Sequence, residues 1–428
     1  MRRYESYKDS GVEWLGEVPS HWNLIPNKYI FKLRKNVVGK RSSEYDLLSL
    51  SLKGVIKRDM ENPEGKFPAE FDTYQEVKEG DFIFCLFDVE ETPRTVGLSS
   101  YHGMITGAYT IFETNNVDKK FIYYFYLNLD SDKRLKPLYK GLRNTISKET
   151  FFSFNTFIPP LSEQQKIAQF LDDKTAKIDQ AVDLAEKQIA LLKEHKQILI
   201  QNAVTHGLNP DVPLKDSGVE WIGQVPEHWS VKKIKHVTSK IGSGITPLGG
   251  GSNYIDGGIP LLRSQNIHFD RIDLNDVARI SEFTHNSMKN SKVRKGDVLL
   301  NITGGSLGRC FYVDSNEEMN VNQHVCIIRP NKKINTIFLN MLLASEIGQK
   351  QIWFFQQGGG REGLNFQAIK NFYLPLPDLE EQQKIAIYLD KQAAKIDQAI
   401  ALKTAHIEKL KEYKSVLIND VVTGKVQV

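Results

Sequence analysis

The chain has 428 residues, of which 40% are hydrophobic and 25% charged, and its formal net charge is +4 at pH 7. This length predicts two or more domains, and the composition excludes a disordered or low-complexity chain. The modest positive charge permits nucleic-acid binding but does not by itself indicate it.

The cysteines and the first residues indicate the compartment. Cys85, Cys310 and Cys326 are widely spaced and odd in number, which argues against a disulfide framework or a CxxC metal site. The opening MRRYESYKDSGVEWLG lacks the apolar core of a signal peptide, and no run of about 18 apolar residues follows it. We therefore expect buried thiols in a reducing cytoplasm and no membrane span.

Two motifs occur twice along the chain. Residues 9–22, DSGVEWLGEVPSHW, return as residues 216–229, DSGVEWIGQVPEHW, with eleven of fourteen positions identical. Residues 163–182, EQQKIAQFLDDKTAKIDQAV, return as residues 381–400, EQQKIAIYLDKQAAKIDQAI, with fourteen of twenty identical. The stretches between the motifs, roughly 23–158 and 230–374, agree far less. This pattern indicates one ancestral fold kept twice, with two similar scaffolds facing different targets.

Each variable stretch has the pattern of an α+β domain. Short β-rich runs are separated by Gly, Asn and Asp clusters, namely DFIFCLF and AYTIF in the first stretch and DVLLNIT, RCFYV and HVCIIRP in the second. The apolar runs FIYYFYLNL and TIFLNMLLASEIG predict one core helix in each stretch, and neither predicts a membrane segment.

Basic side chains cluster in the first variable stretch. Residues 132–148, DKRLKPLYKGLRNTISK, hold six Lys or Arg against one Asp, a density that suits phosphate contacts. A solvated basic face is the alternative interpretation. The candidate DNA-binding residues of this half are Lys40, Arg41, Lys53, Lys57, Arg58, Arg94, Lys133, Arg134, Lys136, Lys140 and Arg143.

The second variable stretch carries side chains of the kind that read bases. In the major groove, Arg offers two donors to guanine, and Asn or Gln offers a donor-acceptor pair to adenine. Such residues lie in the loops LLRSQNIHFD, NVNQHV and FFQQGGGREGLNF, although ordinary polar loop decoration would look the same. The candidates are Arg263, Gln265, Asn266, His268, Asn322, Gln323, Gln356, Gln357, Arg361 and Asn365.

Each motif that follows a variable stretch predicts a long helix. Prolines precede both runs, with Ser162 and Asp378 as the expected caps. The apolar residues recur every three to four positions, which favours a partner helix over packing on the helix's own domain, the alternative. Antiparallel pairing would place the two variable domains at opposite ends of a coiled coil, whose length would set their separation. The predicted seam is Ile178, Val182, Ile189, Leu192, Leu199, Ile396, Ile400, Ile407, Leu410 and Leu417.

Strings that resemble catalytic motifs lack their structural context. GGSLG around Ser306 matches GxSxG, but the β-type run RCFYV follows where that motif needs a helix. GGGREG, which ends at Gly363, matches GxGxxG without room for a βαβ unit. The Glu-x-Lys strings at Glu194 and Glu412 fit ion pairing on helix faces better than a nuclease site. A stand-alone hydrolase or nuclease is one alternative function, and a purely structural coiled-coil adaptor with no role at DNA is another.

Together these residues resemble the specificity subunits of Type I restriction-modification systems. The resemblance rests on YKDSGVEWLGEVPSHW and its copy, on GDVLLNITGG, and on the helix starts PPLSEQQKIAQFLD and PLPDLEEQQKIAIYLD, and it covers essentially the whole chain. It implies two target recognition domains, residues 1–160 and 207–377, that each read half of a split DNA site. It also implies two antiparallel spacer helices, residues 161–206 and 378–428, that dock two modification subunits together with the conserved segments.

The resemblance further implies a division of labour. This chain would bind double-stranded DNA, without a cofactor, a metal or catalytic residues of its own. Adenine methylation with S-adenosylmethionine would belong to the modification subunits, and ATP- and Mg-dependent translocation and cutting to restriction subunits. Target adenines would be flipped into the partner's pocket. Because the variable domains diverge with their targets, the family supplies no base contacts for this chain.

Overall fold

The computed structural model describes residues 2–61, 70–139, 144–247, 250–356 and 363–428. The chain forms two compact units: unit 1 consists of Met1–Glu186 and Thr404–Val428, and unit 2 of Lys187–Lys403. Each unit therefore combines one variable stretch with part of both long helices, whereas the sequence suggested separate domain and helix segments.

Unit 1 is built from short antiparallel strands and helices. The strands are β1 (Tyr7–Asp9), β2 (Glu17–Pro19), β3 (Asn23–Pro26), β4 (Phe31–Arg34), β5 (Leu48–Ser51), β6 (Gly54–Lys57), β7 (Gln75–Val77), β8 (Phe82–Phe84), β9 (Val96–Leu98), β10 (Gly103–Ile105), β11 (Thr110–Thr114) and β12 (Asn155–Ile158). The helices are α1 (Lys119–Ser131), α2 (Lys148–Ser153) and the long α3 (Leu161–His206), which continues into unit 2. The main sheet has the order β4-β11-β8-β9.

Unit 2 repeats this plan. Its strands are β13 (Leu214–Asp216), β14 (Gln224–Pro226), β15 (Ser230–Lys233), β16 (Thr238–Ser243), β17 (Ile259–Leu262), β18 (Ala278–Ile280), β19 (Val298–Asn301), β20 (Cys310–Tyr312), β21 (Asn320–Val321), β22 (Val325–Pro330) and β23 (Tyr373–Leu376). Its helices are α4 (Glu282–Ser287), α5 (Thr336–Ala344), α6 (Glu346–Phe355), α7 (Phe366–Lys370) and the long α8 (Leu379–Val422), which continues into unit 1.

The main sheets of the two units are equivalent. The order β16-β22-β19-β20 matches β4-β11-β8-β9 strand for strand. The outer ladder β3–β12 of unit 1 has its counterpart in β15–β23 of unit 2. Unit 2 adds a small sheet in which β17 pairs antiparallel with β18 and parallel with β21. The predicted internal repeat and the predicted α+β class are confirmed.

The apolar run FIYYFYLNL forms the buried helix α1, as predicted. The run TIFLNMLLASEIG, predicted as one core helix, is divided at Ser345 into α5 and the start of α6. Asp118 caps α1 by accepting a hydrogen bond from Phe121 N at 2.9 Å, and Asn335 caps α5 in the same way. Both helices pack into the core of their own unit. Within the described part of the chain, no helix combines the length and apolar character needed to cross a bilayer.

The cysteines are buried and unpaired, which agrees with the prediction of buried thiols. Burial raises the pKa of Cys310 and of Cys326 to about 12, and it also raises that of Cys85. Such thiols stay protonated at neutral pH and are poor nucleophiles.

Within each unit, the first repeated motif contacts the second at the start of the long helix. In unit 1, Glu163 in the first turn of α3 accepts from Trp22 Nε1 at 3.1 Å and lies 2.7 Å from His21 Nε2. In unit 2, Glu381 accepts from Trp229 Nε1 at 3.0 Å, and its histidine partner lies 2.9 Å away. A carboxylate is favourable at a helix N-terminus, and here it also satisfies a buried indole. We call the repeated motifs, residues 9–22 and 163–182 in the first copy and 216–229 and 381–400 in the second, the frame.

One of the two predicted helix caps is wrong. Asp378 caps α8, since its Oδ1 accepts from Glu381 N at 2.8 Å. Ser162, however, lies inside the first turn of α3. The carbonyl of Pro160 accepts from the amides of Glu163 and Gln164 at 2.9 and 3.0 Å, so the helix starts earlier than expected. Proline is well suited to a helix start because it has no amide to satisfy there.

The long helices pair within each unit. In unit 1, Lys414 Nζ lies 2.7 Å from Asp179 Oδ2, and in unit 2, Lys196 Nζ lies 2.7 Å from Asp397 Oδ2. These are the same two positions of the repeat with the helices exchanged. In unit 2, a further contact at 2.6 Å joins Lys403 to Gln188. The number of the α8 partner falls as the α3 number rises, so the helices are antiparallel.

The seam residues serve the pairing and the unit cores together. Ile178 of α3 and Leu417 of α8 belong to the core cluster of unit 1, and Leu199 packs against that of unit 2. Both interpretations of the heptad spacing therefore apply. Ile178, Ile396, Ile407 and Leu417 are buried, whereas Val182, Ile189, Leu192, Leu199, Ile400 and Leu410 are half-buried.

A substitution at the seam measures this contribution. Leu417 is 3% exposed, and Leu417→Ala should lower the free energy of unfolding of unit 1 by about 2–5 kcal/mol, because it leaves a cavity in the core. Leu184 on α3 is 58% exposed, and Leu184→Ala is the matched control with an expected change under about 0.5 kcal/mol. Denaturant unfolding compares the two; equal effects would contradict the seam.

Candidate nucleic-acid interface

In unit 2, loops from three distant parts of the chain meet at the C-terminal end of β19. Asn301 Nδ2 donates to Ser264 O at 2.7 Å. Ile302 N donates to His324 O at 3.0 Å, and Leu364 N donates to Ile302 O at 2.8 Å. These are the three loops in which the sequence placed base-reading side chains. We name as junction 2 residues 263–266, 301–303, 322–324 and 363–365.

Close backbone approach holds junction 2 together. Gly244 N donates to Asn322 O at 3.1 Å, and a Cβ on Gly244 would lie only 1.7 Å from Val321 O. Thr303 forms an antiparallel bridge with Gly363. Main-chain contacts therefore contribute to fixing the loops.

Three predicted asparagines use their side chains inside the junction. Asn266 is 2% exposed, and its amide bonds the loop backbone at both ends. Asn322 accepts from His324 N at 3.0 Å. Asn365 caps α7 by accepting from Ala368 N at 2.8 Å. These amides hold the loops in shape, and that of Asn266 has no polar end left for a base.

Other predicted residues of unit 2 reach solvent. Gln265 and Gln323 are exposed. Arg263 is half-buried, with its guanidinium 5.6 Å from the centre of the Tyr254 ring. Gln356 is half-buried at the end of α6. Gln357 and Arg361 lie outside the described residues.

Two residues that the sequence analysis did not select stand at the centre of junction 2. Thr303 Oγ1 lies 2.7 Å from His324 Nδ1, and Gln323 Nε2 lies 2.9 Å from His324 Nε2. The histidine directly after Gln323 in NVNQHV was a usable signal. Thr303 gave none, because its partner lies 21 residues away in sequence.

The end of β8 organises the loops of unit 1 in the same way. Ile146 N donates to Leu86 O at 2.7 Å, and Phe87 forms a bridge with Thr145. The rings of Phe87 and Tyr109 are stacked, with centroids 6.2 Å apart and planes 17° apart. We name as junction 1 residues 85–87, 106–109 and 144–146.

Corresponding positions of the two junctions carry different chemistry. The register places Ile111 opposite Ile83 in unit 1 and Ile327 opposite Leu299 in unit 2. Residues 106–108 therefore correspond to residues 322–324. They are Thr-Gly-Ala in junction 1 and Asn-Gln-His in junction 2.

An open cleft of about 650 Å³ lies beside junction 1, with Lys35, Asp72, Gln75, Tyr109 and Lys148 among its lining residues. Two lysines at a polar opening suit contact with a phosphate. The sequence did not indicate this cleft, since its lining residues come from four separate segments.

Two of the predicted basic residues of unit 1 neutralise a buried carboxylate. Asp130 is 3% exposed and accepts from Thr95 N at 3.0 Å. Lys133 Nζ lies 2.8 Å from Asp130 Oδ1 and donates to Thr92 O at 2.7 Å. Arg94 NH1 lies 3.8 Å from Asp130 Oδ2. Because a buried carboxylate needs nearby cations, we assign this internal role to Lys133 and Arg94, whose contact with phosphates stays a prediction.

The remaining described basic candidates differ in exposure and in their partners. Lys57 and Lys136 form exposed ion pairs at 2.5 and 2.6 Å, and the Arg134 guanidinium lies 4.5 Å from the centre of the Trp14 ring. Exposed pairs are weak and can exchange with a phosphate. Lys40, Arg41 and Lys53 are exposed, Arg58 is half-buried, and Lys140 and Arg143 lie outside the described residues.

Comparison with known families connects this architecture to one function. The family model described as the Type I restriction modification DNA specificity domain matches residues 104–193 and 226–412, well over half of the chain. The chain belongs to this family. The resemblance drawn from the repeated motifs is confirmed, and the comparisons give the hydrolase and nuclease alternatives no support.

Two relatives illustrate the extent of the similarity. The Type I restriction enzyme MjaVIII specificity subunit of Methanocaldococcus jannaschii is 28% identical over 332 residues, which cover 76% of this chain and 75% of that one. The EcoBI specificity subunit of Escherichia coli is 31% identical over 250 residues, 56% of this chain and 52% of that one.

Solved structures support the same fold. A chain from work on complex assembly and conformational transition of the type I restriction-modification system aligns with a TM-score of 0.69 at 13% identity, covering 96% of this chain and 99% of that one. The HsdS subunit from Thermoanaerobacter tengcongensis aligns with a TM-score of 0.52 at 15% identity, covering 96% and 98%.

The sequence motifs that resembled catalytic sites have structural roles in this chain. Ser306 lies in a 3₁₀ turn between β19 and β20, so a strand follows where a nucleophile elbow needs a helix. The lysines of the two Glu-x-Lys strings, Lys196 and Lys414, form the ion pairs between the long helices. Of GGGREG, only Gly363 lies within the described residues, where it forms the bridge with Thr303.

Proposed function

We propose that this chain reads DNA sequence for a Type I restriction-modification complex and performs no chemistry itself. Unit 1 and unit 2 each read one half of a split double-stranded site, through junction 1 and junction 2. Recognition directs adenine methylation or restriction by partner subunits.

The contrast between frame and junctions carries this proposal. The frame repeats down to single hydrogen bonds: Gln164 Oε1 accepts from Asp118 N at 2.8 Å, and Gln382 Oε1 accepts from Asn335 N at 2.8 Å. The junctions occupy equivalent strand ends but present different side chains. A protein that holds two different sequences for identical partners needs this combination.

The partners follow from the same contrast. A frame that occurs twice offers two equivalent docking surfaces, which suits two modification subunits. S-adenosylmethionine, ATP and Mg belong to the modification and restriction subunits in this proposal, and the target adenines are flipped into the modification subunit. The complex would act in the cytoplasm, where the DNA is.

The decisive experiment maps methylated adenines in host DNA with and without this gene, in cells that carry the modification subunits. We expect one split motif whose methylation depends on the gene. An unchanged methylation map would overturn the proposal.

Salt dependence tests DNA recognition directly. Phosphate contacts release counterions, so affinity should fall linearly on a logarithmic scale with salt, by roughly a thousand-fold or more between 50 and 200 mM if six or more phosphates are contacted. Fluorescence anisotropy of a labelled duplex, with the full chain and its modification subunits, measures this slope. A salt-independent affinity would favour a purely structural adaptor.

A further inference from the structure

We infer that Gln323 reads an adenine in the half-site of unit 2, held in position by His324 and Thr303. The inference rests on the proposed function and deepens it. Its basis is a chain of two hydrogen bonds. The distances are 2.7 Å from Thr303 Oγ1 to His324 Nδ1 and 2.9 Å from His324 Nε2 to Gln323 Nε2.

The direction follows from the donors. An amide nitrogen can only donate, so His324 Nε2 accepts from Gln323 Nε2. With the amide nitrogen in that place, the other ring nitrogen, Nδ1, donates to Thr303 Oγ1. Thr303 Oγ1 thus holds the imidazole on one side, and the imidazole holds the Gln323 amide on the other.

The orientation leaves Gln323 with the groups that adenine requires. One N–H is used by His324, while the second N–H and Oε1 remain on an exposed side chain. Adenine presents N7 as an acceptor and N6 as a donor in the major groove, which this pair matches. Guanine presents two acceptors there, and Oε1 would oppose one of them.

Two hydrogen bonds hold the backbone of His324 in a structure that contains no DNA. His324 N donates to Asn322 Oδ1 at 3.0 Å, and His324 O accepts from Ile302 N at 3.0 Å. Ordering a long side chain normally opposes binding, and here the histidine already restrains it. The corresponding residues of unit 1, Gly107 and Ala108, have no such pair, so the device belongs to one half-site.

Mapping the methylated motif for wild type, Gln323→Ala and Gln323→Glu tests the inference. We expect both variants to lose the preference for A·T at one position of one half-site by roughly ten- to a hundred-fold, since neither keeps the donor-acceptor pair. The other half-site stays unchanged. Gln367→Ala, at an exposed glutamine on α7 outside junction 2, is the matched control and keeps the wild-type motif.

Substitutions of Thr303 separate positioning from folding. Thr303→Val removes the acceptor at constant shape and should weaken the same A·T preference, while Thr303→Ser keeps the hydroxyl and restores it. An unchanged motif in Gln323→Ala, or changes in both half-sites, would overturn the inference while the proposed function stands. Absence of any wild-type motif would overturn the proposed function itself. Variants that unfold at the wild-type temperature are correctly folded, so a changed motif in them reflects altered base recognition.

Discussion

Replacement of residues 23–158 by a copy of the chain's own residues 230–376 yields, in our expectation, a protein whose DNA target contains the unit 2 half-site twice. The exchange is well defined because both segments begin and end on paired strands. Asn23 faces Ile158 in the β3–β12 ladder, and Ser230 faces Leu376 in the β15–β23 ladder. The first and last residues of each exchanged segment are therefore neighbours on paired strands.

The transplanted segment would find its contacts in the unit 1 frame. Asn335 N, which donates to Gln382 in unit 2, would meet Gln164 at the equivalent position. Phe121 of α1 packs edge-on against Trp22, with ring centroids 6.2 Å apart, and the transplant brings Phe338 to that place. The transplant thus keeps a hydrogen bond from a backbone N–H to a glutamine Oε1. It also keeps a phenylalanine against Trp22.

Methylation mapping measures the result, with the wild-type chain as reference. One half-site should vanish and the other should appear at both ends of the target, which is the largest change in specificity that a single exchange within this chain can produce. Persistence of the original unit 1 half-site would show that the frame, not the variable stretch, reads DNA.

Asp297→Ala should destabilise unit 2 by about 3–5 kcal/mol, because it leaves the Arg329 guanidinium without its counter-ion in the core. The pair is bidentate, with Arg329 Nε 2.7 Å from Oδ1 and NH2 2.8 Å from Oδ2. The side chains of Arg329 and Asp297 are 17% and 1% exposed. Asp297 Oδ2 also accepts from Arg294 N at 2.8 Å, so the turn before β19 loses a contact too.

The matched control lies in the same unit. Asp314 is 73% exposed and lies 3.0 Å from Lys295 Nζ, and Asp314→Ala should cost under about 1 kcal/mol. Hydrogen exchange of the β19 amides in denaturant reports the local stability of both variants. A loss below about 1 kcal/mol for Asp297→Ala would mean that Arg329 reaches water once its partner is gone.

In unit 1, the equivalent buried aspartate pairs with an arginine from a different strand. Asp81 occupies the position of Asp297, and Arg34 of β4 lies 3.1 Å from it. Burial raises the pKa of Asp81, opposed by the Lys78 amide and by Arg34. The sequence repeats the aspartate after Gly80 and after Gly296. It does not predict the arginine partner, because Arg34 comes from the first strand of the unit 1 sheet and Arg329 from the second strand of the unit 2 sheet.

The sequence by itself determined the duplication, the α+β character of the variable stretches and the two long helices. These features are encoded locally: identical motifs, β-rich runs between turn residues, and apolar residues at helical spacing. The family followed from the same motifs. The sequence also indicated the loops of unit 2 that form junction 2, because Asn, Gln and Arg side chains in polar loops are recognisable without the structure.

Only the tertiary structure decided which of those side chains remain available. Asn266 and Gln323 look alike in sequence, yet one is buried with both amide ends bonded and the other is exposed beside His324. Lys133 and Arg94 read as a basic surface, and the fold places Asp130 between them. These outcomes depend on strand order and register, which join residues far apart in the chain and leave no periodic trace in it.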